Sequence, residues 1–210
     1  MTRSPAGAVR DALTTIVLVT TLAVLVITGA TQSWDQAAVD AATDVARGRD
    51  LLDALTLLEE IPRPVWLSVF ATIVCIVVGW RAGIPWRAFA AWASMMLIWG
   101  GAALLKQIVD RERPTAATPV WEHDGLSFPS GHATNITAMT LGLSLLLWPL
   151  IGRLERWLLG IMTTVLIVIV ALDRVFLGVH YPTDVLVGVI LGGGLIAAAS
   201  QLWPSPRVEV

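Results

Sequence analysis

Six apolar runs, each near the length that crosses a bilayer, limit what this chain can fold into more than any other feature. They cover about residues 12–30, 65–80, 88–106, 130–151, 157–173 and 182–202. A hydrocarbon core about 30 Å thick takes roughly 20 helical residues. Composition points the same way: 56% of the 210 residues are hydrophobic and 14% are charged, with a mean hydropathy of +0.73. That excludes an ordinary soluble domain. The expected fold is all-α: a six-span transmembrane helical bundle forming one membrane-embedded domain over residues 1–210, with a short amphipathic extramembrane segment. Membrane lipids are its expected surroundings. A net charge of −2 gives no reason to expect nucleic acid as a partner. The single cysteine, Cys75, lies inside the second run, so no intrachain disulfide can form.

The first run could be mistaken for a signal peptide, because Thr28-Gly29-Ala30 resembles a cleavage site. It is longer than a signal core, and the remaining spans make better topological sense with it retained. Residues 32–64 are rich in Asp and Glu. Val39, Ala42 and Val45, then Leu51, Leu55 and Leu58, recur at helical spacing. They read as two short amphipathic helices broken near Gly48, lying on the membrane or over a site, or else as a packed loop with no part in substrate contact. Six spans put both termini on one side. The segments bearing Arg3, Arg10, Arg81, Arg87, Arg153, Arg156 and Arg207 share that side, which the positive-inside rule makes cytoplasmic. The raw count ties at seven basic residues per side. However, Lys106, Arg111, Arg113 and Arg174 on the other face belong to or adjoin polar motifs, and Arg47, Arg49 and Arg63 sit among acids. Trp34 and Trp66 suit the outer interface; Trp80, Trp86, Trp148, Trp157 and Trp203 suit the inner one. Gly192-Gly193-Gly194 in the sixth run reads as a close helix contact.

This topology brings three polar stretches to the outer face. In Lys106–Pro114, Lys106 and Arg113 are two helical turns apart and share a face if the helix continues that far. Pro114 disfavours helix at Arg113 and so marks its end. Arg111 reads as a surface partner of Asp110 or Glu112. In Phe128-Pro129-Ser130-Gly131-His132, a helix begins where Ser130 can cap and Gly131 admits a ligand to the backbone. The free N–H groups and dipole of such a start suit an anion. In Arg174–Asp184, His180 and Asp184 are four apart. A carboxylate on one imidazole nitrogen leaves the other free to attack. Asp173, before Arg174, could pair with Arg174 or Arg113, or face away. His123 reads as an exposed loop residue.

Together these stretches supply three cations, backbone donors, two histidines and a carboxylate, which suits a phosphate monoester or diphosphate. A metal is not expected, because three histidines, no nearby thiol and several cations make a poor metal site. A carrier that binds phosphate without hydrolysis would explain the cations but not the His180/Asp184 pair with a second histidine. A catalytically silent scaffold would leave all these residues replaceable.

The three stretches read Lys-x6-Arg-Pro, Pro-Ser-Gly-His and Arg-x5-His-x3-Asp, in that order. In this the chain resembles the type 2 phosphatidic acid phosphatase superfamily of membrane lipid phosphatases, whose six-span layout matches its whole length. The resemblance implies that His180 is the nucleophile, Asp184 orients it, and His132 is the general acid. It also implies that Lys106, Arg113, Ser130, Gly131 and Arg174 hold phosphate oxygens, with no metal or other cofactor. The family's third motif commonly begins Ser-Arg; here Asp173 takes the place of the serine. The implied substrate is a lipid phosphate or diphosphate. An undecaprenyl-type polyprenyl diphosphate is favoured, with phosphatidylglycerophosphate, phosphatidate and other polyprenyl-phosphoryl sugars as alternatives, cleaved at the outer face. Protonation of His180 would remove its lone pair, so activity is expected to fall in acid.

Overall fold

The computed structural model describes residues 5–60, 63–115 and 125–205. They form eight α-helices: α1 Pro5–Ile27, α2 Gln32–Gly48, α3 Leu52–Glu60, α4 Pro64–Arg81, α5 Pro85–Val109, α6 Gly131–Leu147, α7 Arg153–Phe176 and α8 Pro182–Ser200. Six of these are long and apolar enough to cross a membrane: α1, α4, α5, α6 with its short 3₁₀ extension to Leu150, α7 and α8. Prolines start α4, α5 and α8 at a position where the missing N–H costs nothing. The two remaining helices, α2 and α3, break after Gly48 as the sequence predicts.

The bundle is organised around α6 and α8. Their most apolar windows are 61% and 56% buried, against 17–28% for the other four spans. The outer helices turn large side chains outward: Val17, Ile76, Leu97 and Ile108 are all more than half exposed. Lipid tails are as apolar as these side chains, so close packing drives association, and small residues set it. A Cβ at Gly192 would lie 2.5 Å from the Thr134 carbonyl oxygen of α6, and one at Gly194 would lie 2.1 Å from Thr15 Oγ1 of α1. The glycine run is therefore the contact by which α8 meets both neighbours. Two apolar clusters fill the interior. One joins α4, α5, α6 and α8 around Met95, Met139 and Ile196. The other joins α1, α5 and α8 around Ala102, Phe128 and Val187, and supports the polar end of the bundle.

Two sequence expectations need correction here. The buried stripe of α2 is Asp35, Val39, Thr43 and Ala46, while Val45 is 43% exposed. The helix is rotated so that a carboxylate and a hydroxyl face inward. Arg87 is not a free loop charge. It is buried and donates to the carbonyls of Pro204 (3.0 Å) and Leu145 (3.2 Å), closing the opposite end of the bundle.

Candidate active site

Lys106 lies in the last turn of α5, and Asp110 ends that helix in the left-handed region at φ 51°. The helix therefore stops before Arg113, and the two cations do not share a helical face. Arg113 instead sits on the irregular segment 110–115. Its Nε donates to the Gly125 carbonyl (3.0 Å), and its Nη1 donates to the Val179 carbonyl (2.8 Å), beside His180. Lys106 Nζ donates to the carbonyls of Leu126 (2.8 Å) and Ser127 (3.4 Å). A Cβ on Gly131 would lie 3.9 Å from Lys106 Cε, so the lysine stem runs along the start of α6.

Ser130 caps α6 from an extended conformation, accepting the Ala133 N–H at 3.5 Å. Gly131 and His132 follow in the first turn, both half-buried. The Ser130 N–H donates to the Asp184 carbonyl (3.0 Å), which fixes the α6 start against the α8 start.

At the α7–α8 corner, Arg174 and Asp173 are both buried. Arg174 Nε donates to Asp173 Oδ2 (3.0 Å), and its Nη2 forms a still shorter bond to the same oxygen. The carboxylate that replaces the family's serine is thus a partner of Arg174. The Arg174 carbonyl accepts the N–H groups of Val179 and His180 (3.3 and 3.2 Å), which folds the corner tightly. Tyr181 is the N-cap of α8, and Asp184, three residues on, accepts the Tyr181 N–H (2.9 Å). The four-residue His–Asp spacing therefore works through a helix cap and not along a helix face, because His180 precedes the helix. His180 Nδ1 stands 3.7 Å from Asp184 Oδ2, beyond direct hydrogen-bond reach. Ser127 Oγ fills that gap. It lies 3.4 Å from Nδ1 and donates a very short hydrogen bond to Oδ2. With its proton committed to Asp184, the Ser127 hydroxyl can accept Nδ1–H, which leaves Nε2 carrying the lone pair.

His180 is 3% exposed. Burial first, with Arg113 and Lys106 adding to it, brings its pKa down to about 4 against the opposing pull of Asp184. The imidazole is therefore neutral across the physiological range.

Arg111 overturns its surface reading. It is 9% exposed, with Nη1 on Asp184 Oδ1 (2.6 Å) and Thr183 Oγ1 (2.8 Å), and Nη2 on Asp35 Oδ2 (2.8 Å). Ser127 and Arg111 are polar contributors next to Asp184 that sequence reasoning missed, with Asp35 and Thr183 behind Arg111. Ser127 stands two residues before Pro129 and Arg111 at an unassigned position inside Lys106–Pro114, and only the fold shows what they touch. His123 lies outside the described residues. The structure thus joins Lys106, Arg113, Ser130, Gly131, His180 and Asp184 through direct contacts or shared partners. His132 adjoins them in the α6 first turn, and Arg174 is buried beneath the corner.

A family model described as the PAP2 superfamily matches residues 86–207. A decaprenylphosphoryl-5-phosphoribose phosphatase from Mycobacterium tuberculosis is 45% identical over 94 residues, 43% of this chain and 47% of that protein. An undecaprenyl-diphosphatase from Sulfolobus acidocaldarius is 38% identical over 78 residues, 36% of this chain and 33% of that protein. The matches to curated relatives thus span about half of their length or less. The crystal structure of a transmembrane PAP2-type phosphatidylglycerolphosphate phosphatase from Bacillus subtilis superimposes with a TM-score of 0.73 at 26% identity. That superposition covers 89% of this chain and 92% of that one.

Proposed function

The chain belongs to the PAP2 superfamily, and on that premise we propose that it is a membrane lipid phosphatase working through a phosphohistidine. The observation that carries this reading is a buried neutral His180 with Nδ1 backed by Ser127 and Asp184, standing beside Lys106 and Arg113 at a helix start. The terminal phosphate binds at the N-terminus of α6, its oxygens held by Lys106, Arg113, Arg174, Ser130 and the Gly131 N–H. His180 Nε2 attacks phosphorus and the P–O bond to the lipid breaks, while His132 gives its proton to the departing oxygen. Water then attacks the phosphohistidine, its proton passes to the now neutral His132, the P–N bond breaks and phosphate leaves. Fixed cations and backbone donors stabilise the charge that builds on the phosphoryl oxygens, so the reaction needs no metal.

The substrate is a polyprenyl-linked phosphate, with a polyprenyl diphosphate favoured. The names of the mycobacterial and archaeal relatives, both polyprenyl compounds, support that class over phosphatidate. The site faces the extracytoplasmic side, a placement supported by the exposed Arg10, Arg81 and Arg153 at the other end of the spans. The test is phosphate release by the purified protein, in detergent and with a divalent chelator. The panel spans prenyl diphosphates, a polyprenylphosphoryl sugar phosphate, phosphatidylglycerophosphate and phosphatidate. Release that survives chelation and disappears in His180→Ala supports the proposal. Equal turnover by that variant excludes the nucleophile.

A further inference from the structure

We propose that Arg111 is a positioning residue for Asp184, and that Asp35 of the extramembrane helix α2 holds Arg111 in place. This rests on the phosphatase reading above and makes α2 a working part of the site. The two oxygens of Asp184 are held separately. Oδ2 takes the Tyr181 N–H and the Ser127 hydroxyl. Oδ1 takes Arg111 Nη1 at 2.6 Å. Without that bond the carboxylate is free to turn about its last torsion and lose the Ser127 bridge to His180.

Arg111 is itself fixed from three sides. Its guanidinium carbon lies 3.9 Å from the centre of the Tyr181 ring, the Gln32 amide oxygen accepts from Nη2 at 3.2 Å, and Asp35 Oδ2 accepts at 2.8 Å. Asp35 is fully buried. It also accepts the Thr183 N–H (3.1 Å) and the Thr183 hydroxyl (2.6 Å), so the same carboxylate tethers α2 to the first turn of α8. One planar fork thus spans two buried carboxylates, a geometry arginine can satisfy and lysine cannot. Nothing in this arrangement requires Arg111 to touch a phosphate. Its effect should therefore travel entirely through Asp184 and His180.

The test is a double-mutant cycle on the full-length protein, with histidine ring-nitrogen NMR as a readout independent of turnover. Arg111→Met is expected to lower kcat about ten- to a hundredfold, the usual range for a supporting contact, with KM unchanged. In an Asp184→Asn background it should have no further effect. Asp35→Asn keeps the size of the side chain and guards against a folding defect; it should lower kcat several-fold in the same pattern. The His180 signal, assigned by its loss in His180→Gln, should show a proton on Nδ1 in the wild type and mixed tautomers in Arg111→Met. The proposal is overturned if Arg111→Met keeps both kcat and the Nδ1–H signature. It is equally overturned if the variant loses the same factor with or without Asp184, which is how a purely structural role behaves. Should the wild type release no phosphate from any lipid, the phosphatase reading falls, and the tautomer measurement still decides the role of Arg111.

Discussion

His180 combines three properties that a free imidazole lacks: burial, an acceptor placed for a proton on Nδ1 and two neighbouring cations. An unperturbed histidine titrates near 6.5, whereas His180 is brought down to about 4. Above about pH 4 the ring is neutral and Nε2 keeps its lone pair; below it, protonation removes the lone pair of the proposed nucleophile. The loss of kcat/KM attributable to His180 should therefore centre near pH 4, well below the weakly acidic fall that an ordinary histidine predicts. A pH profile whose acid-side fall lies at 6–7, and persists on a substrate whose phosphate does not titrate there, would contradict this. Ser127 carries the second prediction at this scale. Its hydroxyl is what joins Asp184 to Nδ1 across 3.7 Å, so Ser127→Ala should cost about tenfold or more in kcat, the worth of roughly one hydrogen bond. KM should barely move, which separates Ser127 from Arg113, whose replacement should raise KM if it holds the phosphate as proposed. Steady-state kinetics of the two variants side by side checks this.

Elements differ in how well they tolerate an added side chain, and the glycines show where. Gly192 of α8 meets the α6 backbone at a distance no Cβ can occupy, while Gly100 of α5 has nothing within 4 Å. Gly192→Leu should separate the two central helices and destabilise the fold by at least the ~1–3 kcal/mol of an overpacked core; Gly100→Leu should be silent. Thermal unfolding in detergent, read beside the monodisperse fraction on size exclusion, distinguishes the two. The same elements show which features a sequence exposes. The spans and the three motif-bearing helix ends were legible because length, apolar periodicity and caps are local signals. The inward face of α2 was not, because Asp35 is buried only by virtue of Arg111 and Thr183, partners 76 and 148 residues away. Arg113 would share a helix face with Lys106 only if the helix ran on to Pro114. The backbone turns earlier, at Asp110, where an aspartate takes the left-handed conformation that glycine more often supplies at a helix end.

At the scale of the whole molecule, Lys106, Arg111, Arg113, His180 and Asp184 gather at one end of the bundle, and Arg87 closes the other. Burial of Arg87 alters the topological argument, since a guanidinium bound to two carbonyls cannot act as a loop charge facing the cytoplasm. Among the described residues, Arg10, Arg81 and Arg153 remain exposed at that end, with Arg156 half-buried. At the site end Arg111 is buried between Asp35 and Asp184, so it too drops out of the count. Arg49 and Arg63 stay exposed at the site end, so the outward facing of that end proposed above needs a test beyond the charge count. Cysteine labelling tests it. Cys75 is buried and gives a low background. Glu112→Cys at the site end and Arg153→Cys at the other each introduce an exposed thiol. In intact cells a membrane-impermeant maleimide should label the first within minutes and the second only after permeabilisation. The reverse pattern would turn the molecule over and give the proposed phosphatase substrates presented from the cytoplasm.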